Sequence, residues 1–287
     1  GSVGIVRIAN VLGTPTRTIF FSVAGQAGGN RDSKLVYRHD ANANQRCLYF
    51  GSGLGSRTEA QTGFRRLFLT SALDTSFGGD GVLTPNEIGT STNQRSEFLA
   101  IDSFLDRRRP VVANMFRDVF FARDPITGAA QTSLAFSPTP AALGWNALAF
   151  DAQGNAYVRR QNKVLYAPRL GPDLLGDVEN GLLVNLTAID VQQQCIRWHP
   201  GGSGFGAFLT FNSRWQGSNW LLVTDTAGDP IDIGTEIPTT RLTGSEVPAQ
   251  GTSAAFDTTV LSSCEGTIDG KRYLFVAQGG ITDKLSV

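Results

Sequence analysis

Histidine, cysteine and net charge are all scarce in this chain of 287 residues, and each shortage removes a class of chemistry. The two histidines, His39 and His199, cannot build a multi-histidine metal centre within one chain. Three cysteines, Cys47, Cys195 and Cys264, contain no C-x-x-C pair, which removes zinc-ribbon, thiol-redox and c-type haem readings. No apolar run is long enough to span a bilayer as a helix. The 25 basic residues balance 25 acidic ones, and charged residues are only 17%, so no overall field draws in nucleic acid. The short clusters Arg65-Arg66, Arg107-Arg108-Arg109 and Arg159-Arg160 read as solvated strand ends. Helical periodicity is scarce too: residues 173–178 are too short and too glycine-punctuated for an amphipathic helix.

What is present is β-forming. Hydrophobic residues make up 41% of the chain and 18 are Phe, enough for a large core. Apolar strands closing on turns recur at 48–50, 110–113, 155–158, 220–223 and 273–276. The first and last start 225 residues apart (273 − 48), so the four intervals average roughly 56 residues, a length suited to a repeat fold. Polar reversals precede two of them, at 151–154 and 268–271, and residues 120–136 repeat a strand-and-turn pattern. The expectation is an all-β chain forming one domain over 1–287: a β-propeller of five to six four-stranded blades. The strand-like segments 4–11 and 273–277 are candidates to close it by pairing within one blade. A β-sandwich and a β-solenoid are the alternatives.

The most specific stretch is Leu73-Asp74-Thr75-Ser76-Phe77-Gly78-Gly79-Asp80-Gly81-Val82. Leu73 and Phe77 are apolar anchors, Asp74, Thr75 and Ser76 can accept from or donate to turn amides, and the glycines permit positive φ. With the preceding strands at 46–53 and 63–69, residues 45–84 resemble the delta-sixty repeat of large secreted or surface bacterial proteins. That resemblance implies a blade-like repeat unit and an extracellular or cell-surface setting in a bacterium. The chain opens on Gly1-Ser2 with no Met, a start that fits either processing or an appended, non-native Gly-Ser remnant and is compatible with export.

Candidate sites are few. Trp198, Trp215 and Trp220 lie in an aromatic-rich stretch with Phe205, Phe208 and Phe211, and exposed members of it would form a platform for a sugar or a protein partner. Asp225, Asp229 and Asp232 bunch in one loop, which suits calcium through its taste for several oxygen ligands but equally suits turn-forming Asp. No other cofactor is implied. Cys195 and Cys264 stand 69 residues apart (264 − 195), a little over one repeat, so adjacent blades could bring them into a disulfide; buried thiols are the alternative. His199 sits in a Gly-Ser-Gly stretch that misses the nucleophile-elbow pattern because Phe205 holds the last glycine position.

These readings favour a non-enzymatic scaffold, adhesion or assembly module whose partner is another protein or copies of itself. A propeller hydrolase or lyase with a channel site, and a carbohydrate-binding propeller, are the alternatives.

Overall fold

The computed structural model describes residues 3–10, 14, 16–23, 34–38, 46–52, 63–88, 97–114, 118–141, 144–160, 162–185, 195–201, 206–215, 218–229, 231, 259–279 and 284–286. The fold is all-β and of the β-propeller class. It falls into two compact units. One comprises Gly1–Leu99, Arg109–Asn114 and Phe121–Thr132, the other Ala100–Arg108, Met115–Phe120 and Ser133–Val287.

In the first unit, β1 (Val3–Ala9) and β2 (Thr16–Val23) form a hairpin. Strands β3 (Lys34–Arg38), β4 (Cys47–Ser52), β5 (Gly63–Phe68) and β6 (Val82–Leu83) form an antiparallel meander in chain order. Ile5, Phe50 and Leu67 are its buried cluster, with Phe20, Phe21, Leu48 and Leu73 packed against it.

The Leu73–Val82 stretch connects β5 to β6 as its residues demand. Phe77 is buried against Tyr49, ring centroids 5.8 Å apart. Asp74 Oδ1 accepts from the Ser76 amide and hydroxyl, while its Oδ2 meets the buried Arg66 guanidinium. Gly78 adopts φ +67° and donates its N–H to Thr127 O. A Cβ there would lie 2.2 Å from Val82 O, so no other residue fits without backbone movement. After β6, the single turn α1 (Pro85–Ile88) is opened by a capping box. Thr84 N–H donates to Glu87 Oε2 (2.7 Å), and the Glu87 amide donates back to Thr84 Oγ1 (3.4 Å). The Thr84-Pro85-Asn86-Glu87 run carries that helix-start signal in the sequence.

Strands β7 (Glu97–Asp102), β8 (Arg109–Asn114) and β9 (Val119–Ala122) follow in the chain. In the second unit β10 (Leu134–Phe136) pairs with the start of β9. Phe120, Phe136 and Trp145 meet in a ring cluster with centroids 5.0–6.2 Å apart. Strands β11 (Trp145–Phe150), β12 (Ala156–Arg160) and β13 (Lys163–Ala167) form a meander. The short strands β14 (Arg169–Gly171) and β15 (Leu174–Leu175) leave it to pair beside β10. The chain then returns in β16 (Leu182–Asn185) to complete the meander. Strands β17 (Ile196–His199), β18 (Phe208–Trp215) and β19 (Ser218–Asp225) make the next sheet. The last is β20 (Thr259–Ile268), β21 (Lys271–Gly279) and β22 (Lys284–Ser286). Strand β17 packs against β11 and β12 on one side and β20 on the other, so consecutive sheets are neighbours.

Two expectations change in detail. Among the described residues four sheets are of blade type, two of four strands and two of three, rather than five to six sheets of four. The strands proposed to close the propeller take partners from their own units, β1 from β2 and β21 from β20 and β22.

Candidate functional site

The second unit carries a cleft of about 460 Å³ where the β11–β12–β13–β16 sheet meets the β17–β18–β19 sheet. Its construction starts with two Asp-led turns of the same design. In the first, Asp151 Oδ1 accepts the amides of Gln153 (3.0 Å) and Asn155 (2.8 Å), and Gly154 N–H returns to Asp151 O. In the second, Asp225 Oδ1 accepts the amides of Ala227 (2.9 Å) and Asp229 (2.8 Å), and Gly228 N–H returns to Asp225 O. Short carboxylates satisfy amides this way because their oxygens reach backbone two to four residues on. Gly228 is needed for a second reason. Its φ is +91°, and a Cβ would stand 2.8 Å from Leu183 O of β16, so the turn of one sheet rests directly on its neighbour.

The first turn is braced from behind. Arg169 supplies the brace: its backbone N–H donates to Asn155 Oδ1, its Nη1 to Gly154 O, and its Nη2 to the buried Asp102 Oδ2 at 2.8 Å. The guanidinium also lies over the Phe104 ring, 4.5 Å from its centroid. These contacts hold Gln153 and Asn155 at the cleft wall.

Aromatic side chains fill the rest of the wall. Tyr157 of β12 and Tyr166 of β13 are direct cross-strand partners with ring centroids 5.4 Å apart. Burial pushes both phenols above their ordinary range. The Asp151 carboxylate adds to the rise at each, and Asp225 adds to it at Tyr157 while a side-chain hydrogen bond with Thr226 opposes it. Both therefore stand as neutral O–H groups near neutral pH. Trp198 of β17 also lines the cleft, and its buried Nε1 finds no acceptor among the described residues. A buried indole N–H ordinarily has a partner. Ala207, Leu183, Thr226 and Ala227 complete the lining.

Of the three tryptophans in the sequence-based platform, Trp198 alone is placed in this cleft. Trp215 falls opposite Ser218 and Trp220 opposite Ser213 in the β18–β19 ladder, and their side chains lie outside the described residues. Asp225 and Asp229 form the turn just described, whereas Asp232 lies outside the described residues. Among the described residues no group of three or more His, Cys, Asp or Glu gathers as a metal site. The expected Cys195–Cys264 disulfide is not formed. All three cysteines are free thiols, and Cys195 is buried while Cys264 is exposed. Both thiols act on Arg197, whose pKa is lowered by burial and raised by each of them, so the strands do bring the two near one guanidinium without bonding them. Buried His199 is a packing residue: its Nε2 meets Thr210 Oγ1 at 2.9 Å and its ring stacks on Phe208 at 4.6 Å. His39 lies outside the described residues.

Sequence reasoning missed Tyr157, Tyr166 and Thr226 as site residues. One signal was available. In the run 156–167 the β12–β13 ladder ends on the pair Arg160 and Lys163, and counting outward from that pair puts the two tyrosines face to face.

No family model matches the chain, and no curated protein matches it. Two solved structures are similar in shape. One is an auxiliary nutrient binding protein from Bacteroides ovatus, 11% identical with a TM-score of 0.42, covering 75% of this chain and 48% of that one. The other is the dihydro-heme d1 dehydrogenase NirN in complex with DHE, 12% identical with a TM-score of 0.38, covering 81% of this chain and 39% of that one. The chain thus spans less than half the length of either.

Proposed function

We propose that this chain is a non-enzymatic carbohydrate-binding propeller whose site is the cleft between its two Asp-led turns. The observation that carries the reading is a cleft wall that sets aromatic side chains, Tyr157, Tyr166 and Trp198, beside the amides of Gln153 and Asn155. A sugar ring matches both parts of such a wall. Its hydroxyls exchange hydrogen bonds with amide and phenol groups, and its C–H faces lie against aromatic rings that carry an apolar body with a polar tip. The cleft's volume suits a mono- or disaccharide-sized ligand. The exported bacterial setting implied by the delta-sixty resemblance would put such ligands within reach.

Tryptophan fluorescence and a glycan array test this. Binding by the folded wild type, lowered about fivefold or more in Trp198→Ala, is expected, since losing the contact of one aromatic ring removes about 1 kcal/mol or more. Absence of binding to any glycan by folded protein overturns the reading. Release of reducing ends on incubation would replace it with the hydrolase alternative, and ordered polymers formed without a ligand would favour the scaffold.

A further inference from the structure

Most polar atoms of the cleft wall are engaged within the protein, and those that are not narrow the ligand. Asp151 Oδ1 accepts two backbone amides and its Oδ2 accepts Asn155 Nδ2 at 2.7 Å, so both oxygens are bonded within their own turn. Asn155 Oδ1 accepts the Arg169 backbone N–H, which engages the other end of that side-chain amide. The Tyr157 hydroxyl hydrogen-bonds with the Thr226 side chain. Two lining residues keep their polar ends for the cleft. Gln153 is exposed and enters the turn through its backbone N–H, while its side-chain amide makes no hydrogen bond among the described residues. Half-buried Tyr166 packs its ring on Tyr157, and its hydroxyl likewise meets no partner among the described residues.

Neither of these two groups is charged, since burial holds the Tyr166 phenol in its protonated form. Among the described residues the lining contains no Lys, Arg or His. An anion would therefore give up its water here without meeting a cation, and would do so beside the Asp151 carboxylate. A cation would find no oxygen of that carboxylate open to it. Burying an unpaired charge costs far more than burying a hydroxyl that finds a hydrogen bond. A side-chain amide and a phenol each donate and accept, which matches a hydroxyl that does the same.

Resting on the carbohydrate reading above, we infer that the cleft takes neutral sugars, and that Gln153 and Tyr166 determine this specificity by hydrogen-bonding the sugar hydroxyls.

Calorimetric titration of the full chain with glucose, galactose and mannose, each beside its uronate and its amino sugar, tests this near neutral pH. At least one neutral hexose is expected to bind about tenfold more tightly than its uronate, with its amino sugar binding no better than the neutral form. Gln153→Ala and Tyr166→Phe are each expected to lower neutral-sugar affinity about fivefold. Gln153→Lys places a cation at the wall and is expected to raise uronate affinity about tenfold. The Gln153 variants keep the backbone N–H that the turn uses, so they decide even if Tyr166→Phe does not fold. A uronate or an amino sugar that binds more tightly than its neutral partner overturns the neutral class while leaving the carbohydrate reading standing. Neutral-sugar affinity unchanged in Gln153→Ala, with no gain for uronate in Gln153→Lys, overturns the role of Gln153. Binding of no sugar at all overturns both this inference and the reading it rests on.

Discussion

Single residues in this protein work mostly by holding turns, and Asp102 shows how far such an effect reaches. Its carboxylate is fully buried and takes the Arg169 guanidinium on Oδ2 and the Phe104 amide on Oδ1. Arg169 in turn fixes the Gly154 carbonyl and the Asn155 side chain at the edge of the cleft. Removing one partner of a buried ion pair strands the other charge, which costs far more than the pair contributes when intact. Asp102→Ala is therefore expected to destabilise the protein by about 3 kcal/mol. Pairing it with Arg169→Met should recover much of that loss, since the stranded charge is gone. Urea unfolding of the two single variants and the double variant checks this, and strictly additive losses would contradict it. Ligand affinity should fall in every variant that keeps the fold, because the Gln153–Asn155 wall loses its brace.

Elements repeat one device: an Asp-led turn closed by a glycine. It occurs at 151–155 and 225–229, and a third version at 124–128 has Asp124 Oδ1 accepting the Ile126 and Thr127 amides and the Thr127 hydroxyl. At Asp124 partial burial tends to raise the carboxyl pKa, and these hydrogen bonds together outweigh it, so the group ends below its ordinary value. A depressed carboxyl contributes stability that is complete above its unfolded pKa of about 3.9 and is lost as pH falls through the lower folded value. The melting temperature of Asp124→Asn should consequently trail the wild type at pH 7 and converge on it below about pH 4. A gap that stays constant down to pH 2 would show that the charge is not what the turn uses.

At this scale the sequence was readable at strands and turns but not at the arginine clusters, since Arg65, Arg66, Arg109 and Arg159 are buried rather than solvated strand ends. The five apolar runs are all strands, and the residues of 73–82 take the anchoring, amide-capping and positive-φ roles their types suggest, because a turn needs no partner beyond its own neighbours. Strand count per blade was less readable, since whether a fourth strand such as β16 joins a sheet depends on a pairing that crosses the β14–β15 excursion. The cleft was the least readable of all. Its walls come from 151–157, 166, 183, 198, 207 and 226–227, segments joined only by packing between sheets. Trp198 was singled out for its aromatic company in the sequence, yet its partners in space are tyrosines some 30 to 40 positions earlier.

For the molecule as a whole, charge is so evenly balanced that acid and base must act through particular groups rather than through a net field. The sequence pI is about 6.9 and the formal charge at pH 7 is zero. On the alkaline side those groups are phenols. Tyr49 in the first unit and Tyr157 and Tyr166 in the second are all held above their ordinary pKa, each chiefly by burial. The sign follows from proton linkage. A folded state that keeps a phenol protonated holds a proton the unfolded chain releases, so stability is whole below about pH 10 and drains away as pH climbs past it. Of the five tyrosines, these three should therefore ionise together with loss of the native structure. Absorbance at 295 nm followed in parallel with near-ultraviolet circular dichroism should show a steep rise that coincides with the loss of tertiary signal. A saturating sugar should move the part of that step belonging to Tyr157 and Tyr166 to higher pH, because a ligand that binds only the native state stabilises it by mass action. Smooth ionisation of all five phenols near pH 10, with the dichroism intact, would show that these side chains are open to solvent and that the aromatic wall of the cleft is not closed as described.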